Sequence, residues 1–385
     1  MNRSSRGWLS STFSVLVMMA LGCASAPNSV PSADAEISPT AVDSGWQKVV
    51  PGGETQCSDG SEFAFYTRAG DPTKLVFFLQ GGGGCWNLET CDPLGKPSYT
   101  VNLDGFHPSQ SDGIFNFSRR DNPVRDHTMV FVPYCSGDVH IGAATRDYKR
   151  PADWVAKLRA RDVPAERIAP QFSVAHKGLA NGRAALKWVR EEIKAPASVL
   201  VTGSSAGSIP SPYYALQLAN QFPAAQVSQL GDGSGGYRRM NQSAAPQVVW
   251  NTTQALSVEP EFAELDDDTF NFEKLYVLAH KAQPKLRLHA YDTAEDNVQL
   301  QFLRLSGLDV NSLEGPLRLN QADIRQEVPT FQSYIAAGEL HTILRRPEFY
   351  EFTVGERSVR DWLADIVAGE TVSSVSCTQC SAVQP

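Results

Sequence analysis

The sequence predicts an α/β protein built on a doubly wound, mostly parallel sheet. Short apolar runs typical of buried strands alternate with segments whose apolar residues have helical spacing. Glycine-rich or polar turns follow several of these runs, and no internal repeat is present. The chain has 385 residues, of which 42% are hydrophobic and 20% charged, so it can bury a large core without help from a metal.

Strands and helices are predicted in an alternating order. The predicted strands are residues 75–79, 128–133, 198–202, 227–230, 286–291 and 330–336, and the predicted helices are residues 178–194, 213–222 and 293–305. Residues 241–283 contain aromatic and acidic residues without a clear strand, which predicts a helical cap region over the site.

The first 22 residues predict a lipoprotein signal peptide. Arg3 and Arg6 precede an uncharged run that ends in small residues before Cys23, and this ending resembles a lipobox. Lipidation of Cys23 would anchor the protein to a membrane of the bacterial cell envelope. The alternative is an ordinary signal peptide cut near Ala24 or Ala26, which would give a secreted protein. Both interpretations predict export.

Residues 23–45 are rich in Ala, Ser, Pro and Asp, which predicts a disordered tether, and the folded domain is expected over residues 46–385. Six cysteines then remain, an even number that suits disulfides in an oxidising compartment. They are Cys57, Cys85, Cys91, Cys135, Cys377 and Cys380. The Cys377–Cys380 spacing alone does not supply four zinc ligands, so no metal is predicted.

The charge balance argues against a nucleic-acid partner. The formal net charge is -8 at pH 7, and Lys and Arg form no cluster large enough for a basic face. No cofactor is predicted.

Ser205 is the predicted nucleophile. It lies in the turn Gly203-Ser204-Ser205-Ala206-Gly207, between a predicted strand and a predicted helix. Glycines on both sides permit the strained strand-to-helix turn that exposes a nucleophilic serine in α/β-hydrolases. Gly81-Gly82-Gly83-Gly84 follows an earlier buried strand, where that fold keeps the backbone donors of an oxyanion hole.

A base and an acid are expected downstream of Ser205, in the chain order acid, then histidine. His341 lies in a late loop after a predicted strand and is the predicted general base. Asp292 directly follows the strand 286–291 and is the predicted acid, with Asp232 and Asp296 as competitors.

Five ordered motifs resemble the pectinacetylesterase/Notum family of α/β-hydrolases, from about residue 57 to residue 363. They are Leu79-Gln80-Gly81-Gly82-Gly83-Gly84-Cys85-Trp86, Val132-Pro133-Tyr134-Cys135-Ser136-Gly137-Asp138, the Ser205 turn, Tyr291-Asp292 and Leu340-His341. This resemblance implies a triad of Ser205, Asp292 and His341.

The same resemblance implies an oxyanion hole from the amides of Gly82, Gly83 and Ala206. It also implies the disulfides Cys57–Cys135 and Cys85–Cys91, which leave Cys377 and Cys380 as a local pair. Trp86 and Asp138, which lie in these motifs, and Asp232, which lies in the glycine-rich loop after the strand 227–230, are predicted to contact substrate.

The predicted function is serine carboxylesterase activity through an acyl-enzyme. The resemblance suggests an acylated carbohydrate substrate, with deacetylation of a polysaccharide such as pectin. Alternative substrates are a hydroxyalkanoate polymer, a short-chain lipid or an acylated protein, because fold and triad do not determine the substrate. A different class is a non-catalytic surface lipoprotein that binds carbohydrate.

Overall fold

A nine-stranded sheet runs through the described part of the chain and carries the candidate site at one edge. A computed structural model describes residues 45–237, 246–308 and 310–381. The predicted signal peptide, Cys23 and all but the last residue of the predicted tether lie outside these described residues.

The strands of the large sheet follow the order β1-β2-β4-β3-β7-β8-β9-β10-β13. β1 and β2 pair antiparallel with each other, and β2 pairs antiparallel with β4, whereas the pairs from β4 to β13 are parallel. These strands are β1 (Trp46–Val49), β2 (Phe65–Arg68), β3 (Asp71–Leu79), β4 (His127–Val132), β7 (Ser198–Ser204), β8 (Gln226–Asp232), β9 (Arg287–Thr293), β10 (Gln332–Ala336) and β13 (Val375–Ser376).

Two small antiparallel pairs lie outside the large sheet. They are β5 (Ala144–Lys149) with β6 (Gln171–His176), and β11 (Thr353–Val354) with β12 (Arg357–Ser358). The helices are α1 (Leu88–Cys91), α2 (Ala152–Arg159), α3 (Gly178–Glu192), α4 (Ser211–Gln221), α5 (Pro246–Trp250), α6 (Thr252–Leu256), α7 (Glu273–Ala282), α8 (Asn297–Leu305), α9 (Glu314–Glu327) and α10 (Val359–Ala368).

Both faces of the sheet are covered, which explains why its central strands are apolar without alternation. On β3, Phe77 packs into the core that includes α3 and α4, while Phe78 packs into the opposite core. Trp362 of α10 lies in that second core and is fully buried. Successive strand residues point to opposite faces, so every residue of the run from Leu75 to Leu79 is buried.

The predicted fold class is confirmed, because the sheet is mostly parallel and helices alternate with its strands. The prediction does not include β1, whose residues are mostly exposed, or β2, whose four residues are too few to form an apolar run. It also omitted α9 and α10. No described helix has the length and apolar character needed to cross a membrane.

Candidate active site

Ser205 occupies a strained turn directly after β7. Its φ is +53°, a left-handed conformation that is uncommon for a residue with a side chain. The turn requires glycine at position 207, because a Cβ there would collide with the carbonyl oxygen of Leu79. The residues from Ser205 to Gly207 form a single 3₁₀ turn, and α4 begins at Ser211. Ser205 is thus presented at a strand-to-helix corner, as the sequence predicts.

The glycine cluster approaches Ser205 from β3. A Cβ on Gly81 would lie 2.7 Å from the Cβ of Ser205, so the two backbones are in close contact. Gly83 has a φ of +80°, and a Cβ there would overlap the carbonyl oxygen of Ser98. The loop is held by hydrogen bonds from Gly84 N to Ser98 O (3.1 Å) and from Thr100 N to Gly82 O (3.0 Å).

Backbone donors are available beside Ser205. Within residues 45–237, 246–308 and 310–381, the amides of Gly82 and Gly83 have no backbone or side-chain acceptor. Ala206 is in the first turn of its short helix, where amides have no intrahelical partner. Gly82 and Gly83 are half-buried, so their amides are accessible from the site, and backbone amides without acceptors are suited to bind an oxyanion.

His341 is paired with Asp296. Its Nδ1 lies 2.7 Å from Asp296 Oδ2, and the Asp296 side chain is fully buried. Because a carboxylate only accepts, Nδ1 donates the hydrogen and Nε2 is left to act as a base. Asp296 caps α8, and its Oδ1 accepts from Val298 N (2.9 Å) and Gln299 N (3.0 Å). The cap fixes the carboxylate that orients the imidazole.

The structure corrects the predicted position of Asp292. This residue does not contact His341; its Oδ1 accepts from Gly235 N (2.8 Å) and from Gln299 Nε2 (3.0 Å). The reason is that β9 continues to Thr293, two residues beyond the predicted strand, so Asp292 lies inside the sheet. Burial raises the pKa of Asp292 to about 8.

The prediction that Asp232 contacts substrate is wrong, because this residue is fully buried. It accepts from Ser204 Oγ (2.7 Å), Ile343 N (3.0 Å) and Leu344 N (3.0 Å). Burial raises its pKa to about 6, and these hydrogen bonds oppose the rise. Asp232 thereby fastens the loop after His341 to the serine next to Ser205.

The predicted contact between Asp138 and substrate is also wrong. It is fully buried and accepts from Ser136 Oγ (2.6 Å), His140 N (3.2 Å) and Gly178 N (2.7 Å). Burial raises its pKa to about 6. Asp138 therefore holds the start of α3. Trp86, the third predicted contact, lines the pocket beside Ser205 and stays a prediction.

An apolar pocket opens at Ser205. Its cavity volume is about 40 Å³, which is small. Its wall includes residues that the sequence reasoning did not select. The lining residues are Gly83, Gly84, Trp86, Val139, Ser205, Ala206, Ile209, Tyr237, Pro246, Trp250, Phe272 and Phe302.

Part of the predicted cap forms this wall. Pro246 and Trp250 belong to α5, and Phe272 directly precedes α7. Residues 241–245 of the predicted cap lie outside the described residues. The helical character of α5 and α6 agrees with the prediction, whereas α7 is a crossover helix between β8 and β9.

His289 also follows Ser205 in the chain, but it lies in the core and not at the site. It lies within β9 and is 4% exposed, and its Nδ1 is 2.8 Å from Gln229 O. Burial lowers its pKa to about 4. His289 is a core residue packed edge-on against Trp362.

All three disulfides agree with the pairs implied by the resemblance. They are Cys57–Cys135, Cys85–Cys91 and Cys377–Cys380. Cys85–Cys91 fastens the end of the glycine cluster to α1, because Cys85 directly follows Gly84. The carbonyl of Cys85 also accepts from Trp250 Nε1 at 2.7 Å. Three disulfides fit an extracellular, oxidising compartment.

A comparison with known families agrees with this geometry. The family model described as pectinacetylesterase matches residues 47–261, which is more than half of the chain. The chain belongs to the pectinacetylesterase family. The matched segment contains the glycine cluster and Ser205, while Asp296 and His341 lie beyond it. The predicted family is confirmed.

Curated relatives of the chain are carboxylesterases by name. The palmitoleoyl-protein carboxylesterase NOTUM of Mus musculus is 30% identical over 133 residues, which are 34% of this chain and 26% of the relative. The Homo sapiens protein of the same name is 27% identical over 185 residues, 46% of this chain and 33% of the relative. The chain therefore spans a third or less of these relatives' length.

One relative is named as lacking activity. The inactive palmitoleoyl-protein carboxylesterase notum1b of Danio rerio is 26% identical over 107 residues, which are 27% of this chain and 77% of the relative. Similarity alone therefore does not establish catalysis in this chain.

Proposed function

We propose that the chain hydrolyses carboxylic esters through an acyl-enzyme, with Ser205 as nucleophile, His341 as general base and Asp296 as the orienting acid. The observation that carries the proposal is the His341–Asp296 pair, in a loop that buried Asp232 links to Ser204, the residue next to strained Ser205. All three residues follow the carboxyl ends of parallel strands, β7, β9 and β10, which lie within four consecutive strands of the sheet and end at the same side of it.

In the first half of the reaction, Ser205 Oγ attacks the ester carbonyl carbon and its proton passes to His341 Nε2. The amides of Gly82, Gly83 and Ala206 bind the oxyanion, where prealigned donors are worth about 3–4 kcal/mol each. The intermediate collapses as the carbon–oxygen bond to the alcohol breaks. His341 then returns the proton to the departing alkoxide.

In the second half, water attacks the acyl-Ser205 ester while His341 accepts a water proton. Collapse of this intermediate releases the carboxylic acid and restores the Ser205 hydroxyl. Asp296 keeps Nδ1 protonated throughout, so that Nε2 is available in both halves. This chemistry uses only groups of the chain.

The pocket favours a short acyl group. Its cavity volume is only about 40 Å³, and its walls are aromatic or aliphatic except for the Ser205 turn and the glycine loop. The family description supports acetyl as that group and pectin or another polysaccharide as the alcohol portion. We therefore propose deacetylation of a polysaccharide as the reaction, in an exported protein held by a lipid on Cys23.

Labelling with a serine-directed phosphonate tests the mechanism. The expected adduct is on Ser205, and Ser205→Ala should abolish both labelling and hydrolysis of nitrophenyl acetate. Ser204→Ala is the matched control, because Ser204 is adjacent but donates to buried Asp232. An adduct elsewhere, or full activity in Ser205→Ala, contradicts the proposal.

Acetate release tests the substrate. Acetylated pectin, xylan and chitin fragments are incubated with the enzyme, with Ser205→Ala as the blank. Release from pectin in clear excess over the others supports the pectin assignment. Faster hydrolysis of long-chain than of acetyl nitrophenyl esters contradicts the short acyl pocket and favours an acylated protein or lipid.

A further inference from the structure

The side-chain amide of Gln299 joins three parts of the site. Gln299 lies in α8, is fully buried and lies three residues after Asp296. Its Nε2 donates to Asp296 Oδ2 (3.0 Å) and to Asp292 Oδ1 (3.0 Å). Its Oε1 accepts from Gly236 N at 2.9 Å.

This pattern fixes the orientation of the amide. The two hydrogens of Nε2 face two carboxyl oxygens, and Oε1 faces an N–H group. Rotating the amide by half a turn would place oxygen against both carboxyl groups and NH₂ against the amide of Gly236. All three contacts would be lost together, so Gln299 has one acceptable position.

At one end, Gln299 and His341 share the same oxygen. Asp296 Oδ2 accepts from His341 Nδ1 (2.7 Å) and from Gln299 Nε2 (3.0 Å). The helix cap holds Oδ1, whereas only these two donors hold Oδ2 within the described part of the chain. Gln299 therefore determines where the oxygen that orients His341 lies.

At the other end, Gln299 reaches the pocket wall. Gly236 directly precedes Tyr237, which lines the pocket beside Ser205. A Cβ on Gly236 would overlap the side chain of Leu313, so the backbone is closely packed there. The same amide thus contacts both the triad carboxylate and the segment that shapes the acyl site.

We infer that Gln299 is a positioning residue that aligns Asp296, and through it His341, with the acyl pocket. The inference rests on the proposed function. It differs from a purely structural role, in which Gln299 would only satisfy buried polar groups. In that case its removal would lower stability without acting through Asp296.

A double-mutant cycle separates the two roles. Gln299→Met keeps the side-chain length but removes the amide. We expect kcat for nitrophenyl acetate to fall about 10- to 100-fold, because misplacement of a catalytic group by about 1 Å has that effect, with KM changed less than about threefold. In the Asp296→Asn background, the same substitution should change kcat by less than about threefold.

Gln229→Met is the matched control. Gln229 is also fully buried, and its amide contacts Ser211, Tyr276 and the backbone of His289 but no triad residue. We expect a comparable fall in the urea midpoint of unfolding, with kcat per folded molecule changed less than about threefold. Gln299→Asn, whose amide is one methylene too short to reach Asp296, repeats the test if the methionine variant does not fold.

The outcomes are distinct. An equal loss of kcat from Gln299→Met in both backgrounds, or an equal loss from Gln229→Met, overturns the inference while the proposed function stands. Hydrolysis that persists in Ser205→Ala overturns the proposed function itself. A loss of kcat from Gln299→Met that occurs when Asp296 is present, but not in the Asp296→Asn background, supports the positioning role.

Discussion

Replacing Asp292 by asparagine should stabilise the protein while leaving its activity nearly unchanged. Asn Oδ1 can accept from Gly235 N and Gln299 Nε2, as Asp292 Oδ1 does. The new Nδ2 would take the place of Oδ2, which has no hydrogen-bond partner among the residues that the structure describes. The substitution therefore fits the site of a neutral carboxylic acid.

The magnitude follows from the pKa of the buried carboxyl. Burial raises the pKa of Asp292 from its ordinary value of 3.8 to about 8 in the folded state. The unfolded chain releases this proton above about pH 4, whereas the folded protein keeps it, so the contribution to stability is complete below pH 4 and is lost as pH rises towards 8. Between pH 4 and pH 7 the ionisation of Asp292 in the unfolded chain therefore lowers the free energy of unfolding by about 4 kcal/mol, at about 1.4 kcal/mol per pH unit.

Asparagine does not titrate, so the mutant avoids that cost. Urea unfolding of both proteins at pH 4.5, 6 and 7 should give a difference in unfolding free energy that grows from about 1 to about 4 kcal/mol. At each pH, kcat/KM should stay within about threefold of the parent. A stability difference that does not change with pH would refute the assigned burial effect, and a loss of activity near 10⁴-fold would make Asp292 the triad acid.

Four further outcomes are expected from other parts of the site. Asp296→Asn should lower kcat about 10⁴-fold at unchanged fold, because His341 would lose the acceptor that sets its tautomer, and steady-state kinetics with circular dichroism checks this. Phe302→Ala should raise the ratio of butyryl to acetyl ester hydrolysis about 10-fold, because Phe302 lines the pocket and two methylenes are worth about 1.6 kcal/mol. Reducing the Cys85–Cys91 disulfide, or replacing both cysteines by serine, should lower kcat by a larger factor than the affinity for a carboxylate product, since the bridge supports the loop that holds the proposed oxyanion donors. Product-inhibition constants measure that affinity. Asp232→Asn should lower the free energy of unfolding, measured in urea, by about 1–3 kcal/mol, because the NH₂ of the new asparagine would face backbone amide donors. An unchanged urea midpoint would contradict the role of Asp232 as acceptor for these amides.

The fold could be predicted because its central strands carry a strong signal. Strands buried on both faces carry continuous apolar runs, and β3, β4 and β7 are detected on that basis. Edge strands and amphipathic helices have weaker patterns, since polar residues on their exposed sides break the apolar runs. β1 and α9 were missed for this reason.

A residue of the candidate site could be predicted only where its neighbours in the sequence are enough to identify it. Ser205 has one, because glycines beside a strand-to-helix turn can be recognised from the chain alone. Choosing between Asp292 and Asp296 depended on where β9 ends, and strand ends are the least certain feature of a sequence-based prediction. A usable signal was present, since Asp296 precedes the apolar spacing of α8 and has the character of a helix N-cap.

The distribution of the site along the chain bears on the question of activity. The family match ends at residue 261, so the matched segment contains Ser205, the proposed nucleophile, but not His341, its proposed base. In this chain β9 follows β8 in the sheet and β10 follows β9, and these two strands bring Asp296 and His341 to the side of the sheet that carries Ser205. Asp232 then secures the His341 loop through two backbone amides, and Gln299 secures Asp296. Such buried support is expected where a base must keep its position through two proton transfers, so these contacts favour the proposed esterase over a scaffold that only binds.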